Sequence, residues 1–322
     1  MRYRRLGRTG HEVSEIGFGA WGIGRSQWIG AEDSESLQAL HRAVDLGLNF
    51  IDTALAYGDG HSEKIIGRFL RERSEQLIVA TKIPPRNQEW PARHDATMKE
   101  VFPVDHIVAC TETSLRNLRV DRIELQQFHV WNDHWAEQDE WRAAVEKLKR
   151  EGKVRHFGIS INDYQPDNGI RAAETGLIDS FQVIYNIFEQ EPEQRLFPYC
   201  AKNDIGIIAR CPLDEGSLTG NVTPATTFPR GDFRNDYFRG ERKKEVLNHV
   251  EPLRFLLHDG VSTLAEAALR FCLSDVRVTT VIAGMRQTKH ADENCKVSDG
   301  KGLPATDIAE LRRHAWPHNY YD

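Results

Sequence analysis

From about residue 33 onward, stretches with apolar residues three and four apart alternate with short apolar runs. That is the pattern of repeated βα units feeding a parallel sheet. The first helix opens near Asp33, an acidic N-cap candidate, and continues through SESLQALHRAVDLG. It places Leu37, Leu40, Ala43 and Val44 on one face, and Gly47 ends it. LNFID follows as a strand. The unit recurs as SEKIIGRFLRER then QLIVATK, VDHIVACTETSLRNLRV then IELQQFH, WRAAVEKLKREG then KVRHFGIS, IRAAETGL then IDSFQVIYN, and EQRLFPYCAKND then IGIIAR. After a longer irregular stretch, LAEAALRFCLS leads into VTTVIAG. With SEIGFG near residue 16 as the first, eight strands are predicted, the number that closes a barrel.

The expected fold is therefore an α/β protein, a single (β/α)8 TIM barrel occupying residues 1–322 as one domain, with long loops at its C-terminal face. RYRRLGRTGHEVS carries a polar turn at Arg8 to Gly10 between two short strands, readable as an N-terminal β-hairpin outside the barrel. GNVTPATTFPRGDFRNDYFRG is too long for an ordinary turn and reads either as a loop covering a ligand or as an ordered surface excursion. WPHNYYD at the end either straps the barrel or reaches a pocket. A doubly wound open sheet is the rival, since it shows the same alternation. Gly17, Gly19 and Gly22 in GFGAWG spell G-x-G-x-x-G, but they run into IGRSQWIG and not into a helix. Without a helix N-terminus to hold a pyrophosphate, the glycines read better as a turn after the first strand.

The 322 residues are 40% hydrophobic and 28% charged with a formal net charge of −6, values of an ordinary globular chain and not of a disordered or membrane one. A pI near 6.1 argues against a nucleic-acid surface. No apolar run is long enough to cross a bilayer, and MRYRRLGRTG lacks the apolar centre of a secretory signal, so the cytoplasm is the expected compartment. Cys110, Cys200, Cys211, Cys272 and Cys295 are odd in number and widely spaced without CxxC, and no His, Cys or carboxylate set has convincing metal-ligand spacing.

Three polar residues each close a β-like run: Asp52 in LNFID, Lys82 in LIVATK and His129 in LQQFH, while Tyr57 lies five residues past Asp52. Strand C-termini of a parallel α/β protein are where catalytic side chains gather. A tyrosine with an ordinary pKa of about 10 is a poor proton donor at neutral pH and calls for a cation beside it. Lys82 would stabilise the phenolate, Asp52 would hold the lysine, and His129 would orient a substrate oxygen. Singly, each has an ordinary explanation as a turn residue, a solvated strand end, a core histidine or a packing aromatic. Jointly, at successive strand ends, they point to one pocket.

In the motifs NFIDTALAYG, VATK and LQQFHVW, this quartet resembles the tetrad of the aldo-keto reductase superfamily. RYRRLGRTGHEVSEIGFGAWGIG is similar to the family's opening hairpin and first strand, GISIND to its Ser-Asn segment, FQVIYN to its Gln-containing sixth strand, and CPLDEGSLTG and AGMRQTKHADEN to its late cofactor loops. The resemblance implies carbonyl reduction to alcohols with extended NADP(H), in preference to NAD(H), on a barrel without a Rossmann domain, and a small-molecule carbonyl partner. It implies that Gly19, Ala20, Trp21 and Asp52 border the nicotinamide ribose and that Ser160, Asn162 and Gln182 bind the carboxamide. Leu213, Gly216 and Leu218 would follow the pyrophosphate. Gly284 stands in the last cofactor loop, Arg286 and His290 where a 2′-phosphate is read, and Glu293 and Asn294 at the adenine end.

Two departures stand out. Many members have adjacent Ser-Asn where this chain has Ser160-Ile161-Asn162, and an aromatic often stacks on the nicotinamide where this chain has Arg210. A guanidinium plane stacks too, but its charge would shift the balance between oxidised and reduced cofactor. A lyase or isomerase using the bound nicotinamide, or a nucleotide-sensing regulatory subunit, are the alternative uses of such a scaffold.

Overall fold

The computed structural model describes residues 1–258 and 260–321. A two-stranded antiparallel hairpin, β1 (Tyr3–Arg5) and β2 (Glu12–Ser14), precedes eight parallel strands. These are β3 (Ile16–Gly19), β4 (Phe50–Asp52), β5 (Ile78–Ile83), β6 (Ile123–Phe128), β7 (Val154–Ser160), β8 (Ser180–Ile184), β9 (Gly206–Arg210) and β10 (Thr280–Gly284). Each neighbour pairs with the next in chain order and β10 pairs with β3, so the sheet closes into a barrel. The open-sheet alternative is thereby eliminated.

Strand periodicity assigns two cores. Phe50, Ile78, Ala80, Leu125, Ile208 and Ile282 fill the barrel interior, and Leu6 and Val13 of the hairpin segment join them from below. The hairpin thus plugs the N-terminal end, where Arg8 donates to Asp179 at 3.0 Å. The alternate residues face outward into a second, larger core beneath the helices. Along β5, Ala80 belongs to the inner set while Val79 and Ile83 belong to the outer one, so Lys82 falls on the inner face two residues beyond Ala80.

The first predicted helix spans Asp33–Asp45 and buries Leu37, Leu40, Ala43 and Val44, with Gly47 just beyond it at φ +94°. Asp33 itself is not its N-cap. Glu32 holds that position without a side-chain cap, and the Asp33 carboxylate instead meets His61 at 2.9 Å and Arg25 at 3.1 Å. The long segment after β9 contains short helices at Arg234–Tyr237 and Arg242–Val250 and packs over the C-terminal end. Among the described residues no helix is long and apolar enough to cross a membrane.

Candidate functional site

A cavity of about 1360 Å³ opens at the C-terminal ends of the strands. Strand register explains why residues distant in sequence meet there. Gly19 pairs with Asp52, Lys82 with Gln127, Ser160 with Gln182 and Gly284 with Gly19, which brings these residues together in neighbouring pairs toward the strand C-termini. Gly19, Ala20, Trp21, Asp52, Tyr57, His129, Ser160, Asn162, Gln182, Arg210, Leu213, Gly216, Gly284, Arg286, His290, Glu293 and Asn294 all line the cavity. Two expected residues do not. Lys82 lies fully buried behind Tyr57, and the Leu218 side chain packs into the outer core because its turn points it away from the opening.

Lys82 is the centre of the polar cluster. Its Nζ donates to Asp52 Oδ1 at 2.5 Å, to the Thr53 carbonyl at 2.8 Å and to the Tyr57 hydroxyl at 3.3 Å. The other Asp52 oxygen accepts from Gln182 Nε2 at 2.7 Å and Gln127 Nε2 at 3.2 Å. The loop holding Tyr57 is fixed by glycines: a Cβ on Gly58, whose φ is +64°, would lie 1.9 Å from the Gly24 carbonyl oxygen, and one on Gly24 would lie 2.8 Å from the Tyr57 backbone. Gly22 similarly leaves room for the Arg286 side chain. Gly22 of the G-x-G-x-x-G run therefore serves close packing around the pocket, inside a short 3-10 turn at Trp21–Gly24.

Burial and neighbouring charge set the protonation of the quartet. Burial and the Asp52 carboxylate push the Tyr57 phenol well above the usual tyrosine range, with Arg210 opposing them. Lys82 is ion-paired with Asp52, and the phenol beside it stays protonated. Burial lowers the Lys82 pKa while Asp52 holds it up. Burial, Lys82 and Arg210 together drive His129 well below the usual histidine range, leaving a neutral imidazole. Its ring lies 5.8 Å from that of Tyr57 and 5.7 Å from Trp90, and its buried Nδ1 has no hydrogen-bond partner among the described residues. The quartet holds a protonated phenol beside a neutral donor, an arrangement suited to delivering a proton to an oxygen that is gaining charge.

Arg210 donates to Asp163 Oδ1 at 2.6 Å and to the Ile161 carbonyl at 3.0 Å, so its charge is partly offset. Asn162, one residue beyond Ile161, accepts at Oδ1 from Trp131 N at 3.1 Å, and its amide nitrogen contacts Gln165 at 3.4 Å. At the other end, the Arg286 guanidinium donates to the Ile29 carbonyl at 3.2 Å and lies 5.4 Å from the Trp28 ring centre.

Several cavity residues escaped the sequence reading. Arg234 covers Trp28 at 4.2 Å and pairs bidentately with Asp232, whose carboxylate also accepts from Ile29 N at 3.1 Å. Phe233 packs 4.8 Å from Trp21. These contacts clasp the long late loop to the segment after β3. The terminal strap reaches the pocket as well: the Tyr321 hydroxyl donates to Glu215, and His318 pairs with Asp214 at 3.3 Å. The aromatic richness of NYYD and the acidic pair in CPLDEG were the available signals.

An elongated ligand such as a nicotinamide dinucleotide fits this donor set. A Cβ at Gly216 or Gly284 would meet nothing within 4 Å, so both glycines leave open wall, and Gln182 has its amide nitrogen on Asp52, leaving its oxygen free to accept. Among the described residues no group of three or more His, Cys, Asp or Glu could hold a metal.

Residues 15–315 match the profile of the Aldo/keto reductase family. Among curated proteins, the chain is 35% identical over 260 residues to the aldo-keto reductase YhdN of Bacillus subtilis, covering 79% of this chain and 75% of that one. Among solved structures, it resembles the glycerol dehydrogenase AKR11B4 of Gluconobacter oxydans, with a TM-score of 0.80, 29% identity and coverage of 97% and 94%. It also resembles the holo form of the aldo-keto reductase AKR11C1 of Bacillus halodurans, with a TM-score of 0.75, 26% identity and coverage of 99% and 97%.

Proposed function

Because the chain belongs to the aldo/keto reductase family, we propose that it is an NADP(H)-dependent oxidoreductase, one barrel domain that reduces aldehyde and ketone carbonyls, sugar carbonyls included, to alcohols. The observation that carries this reading is the Lys82 ammonium placed between the Asp52 carboxylate and the Tyr57 hydroxyl. The bound nicotinamide supplies the hydride. Tyr57 gives its proton to the carbonyl oxygen as negative charge develops there, and takes one back in the reverse direction. An alkoxide is a stronger base than an ordinary phenolate, which favours the transfer as charge builds on the carbonyl oxygen. Lys82 then donates to the phenolate left behind, and Asp52 keeps the lysine protonated in its dry site. Neutral His129 donates an N–H to the same oxygen and orients it.

Ser160, Asn162 and Gln182 would hold the carboxamide, Leu213 and Gly216 the pyrophosphate, and Arg286 the 2′-phosphate, since a guanidinium matches phosphate geometry. Lys289 lines the same end and adds to the preference for NADPH over NADH. Similarity to a glycerol dehydrogenase supports including small polyols and their carbonyl counterparts among the substrates.

The test is Tyr57→Phe, assayed by NADPH oxidation against aldehydes, ketones and sugar carbonyls, with NADH alongside. The expected loss of turnover is roughly a hundredfold or more with cofactor affinity retained. Normal turnover by the variant would remove the assigned role, and faster oxidation of NADH would reverse the cofactor preference.

A further inference from the structure

Gln127 is fully buried on β6, two residues before His129 and therefore on the same face of the strand. It does not line the cavity, but it touches two residues that do. Its Nε2 donates to Asp52 Oδ2 at 3.2 Å, and its Oε1 accepts from Gln182 Nε2 at 3.4 Å. Gln182 Nε2 donates to the same Asp52 oxygen at 2.7 Å. The three side chains close a small ring with a fixed direction: the carboxylate only accepts, so both amides must turn their nitrogens toward it. With its nitrogen toward Asp52, Gln127 presents its oxygen to the second N–H of Gln182. Gln182 is then left with only its oxygen to offer the cavity.

We propose that Gln127 is a positioning residue that fixes the amide polarity of Gln182 and the carboxylate of Asp52 together, joining the carboxamide contact and the proton-donating tyrosine in one hydrogen-bonded chain. The chain runs Gln182, Asp52, Lys82, Tyr57, and Gln127 braces its first link. The inference rests on the proposed roles of Gln182 and Tyr57. Without the brace, Gln182 loses one of its two reasons to face a single way, and Asp52 loses one of the three donors that hold its negative charge beside Lys82.

The experiment compares Gln127→Met, close in volume but unable to hydrogen-bond, with Gln127→Glu, which puts a second carboxyl against Asp52. Both are measured for NADPH Kd by tryptophan fluorescence and for kcat as a function of pH. Gln127→Met is expected to weaken cofactor binding and lower kcat, each roughly fivefold to tenfold, as loss of a hydrogen bond within a buried network does. Gln127→Glu is expected to move the acidic limb of the kcat profile upward by about one pH unit or more, since adjacent carboxyls retain a proton. Parental Kd, kcat and pH profile in Gln127→Met would reduce Gln127 to a space-filler. Should that variant not fold, an unshifted profile in Gln127→Glu overturns the proposal in the same way. If Tyr57→Phe is inactive while Gln127→Met behaves as the parent, only this inference falls. An active Tyr57→Phe removes the functional reading itself.

Discussion

The Arg210 guanidinium is ion-paired with the Asp163 carboxylate at 2.6 Å, on the wall of the same cavity that Asp52 and Tyr57 line. Desolvation disfavours the guanidinium charge, and Asp163, together with Cys211 and Tyr321, more than restores it. Breaking the pair with Asp163→Asn would leave a mostly buried cation without compensation, destabilising the fold by about 3 kcal/mol. It would also place an unscreened positive charge near the proposed nicotinamide end. The oxidised ring is itself cationic, so the ratio of NADP+ to NADPH dissociation constants is expected to rise roughly tenfold, about 1.4 kcal/mol. Fluorescence titration with both forms checks this, and an unchanged ratio would show that Arg210 does not act on the ring.

Glu215 introduces a pH dependence of opposite sign from ordinary surface carboxylates. Burial pushes its pKa up to about 7, although Tyr321 and Cys211 donate to it. A raised carboxyl pKa favours the folded state at acidic pH: the contribution is full below about 4.5 and is lost as pH passes about 7, roughly 3 kcal/mol across that window. Glu189, also raised to about 7 by burial, adds a parallel slope. Glu215→Gln should therefore flatten the decline in unfolding free energy between these pH values by about half, as read from urea titrations at several pH values. An identical slope in the variant would rule Glu215 out as its source.

At the opposite end of the barrel, Asp179 behaves in the usual direction. Burial works against its charge, but hydrogen bonding from His156, the Lys149 ammonium and the Phe157 N–H outweigh it and bring the pKa down to about 2. Its contribution to stability is present above 3.8 and is lost as pH falls toward 2, roughly 2 kcal/mol. Asp179→Asn, which also removes the Arg8 pair under the hairpin, is expected to lower the unfolding temperature at pH 7 by several degrees with kcat unchanged. A fall in kcat at a temperature where the variant is fully folded would contradict the division between a stabilising bottom and a chemical top.

Local patterns carried the barrel, and their limits are equally local. Asp52, Lys82 and His129 are legible because each ends an apolar run, and strand ends converge whatever the loops do. Gln127 was visible by the same period-two rule, sitting two residues before His129 in LQQFH, but a glutamine inside a strand carries no chemistry of its own until its neighbours are known. The Arg210–Asp163 pair, the Tyr321–Glu215 contact and the Arg234–Trp28 stack join segments tens to hundreds of residues apart. No window of sequence contains both partners.

Donors on β5, β6 and β8 all converge on the carboxylate of Asp52, itself on β4. The carboxylate–ammonium pair behind Tyr57 is therefore built into four staves of the barrel, while Tyr57 itself sits on the glycine-held loop after β4. Grafting foreign loop sequences between the strands, at the Trp90 or Phe233 segments for example, would accordingly be a route to altered carbonyl selectivity in which the reacting machinery survives the transplant.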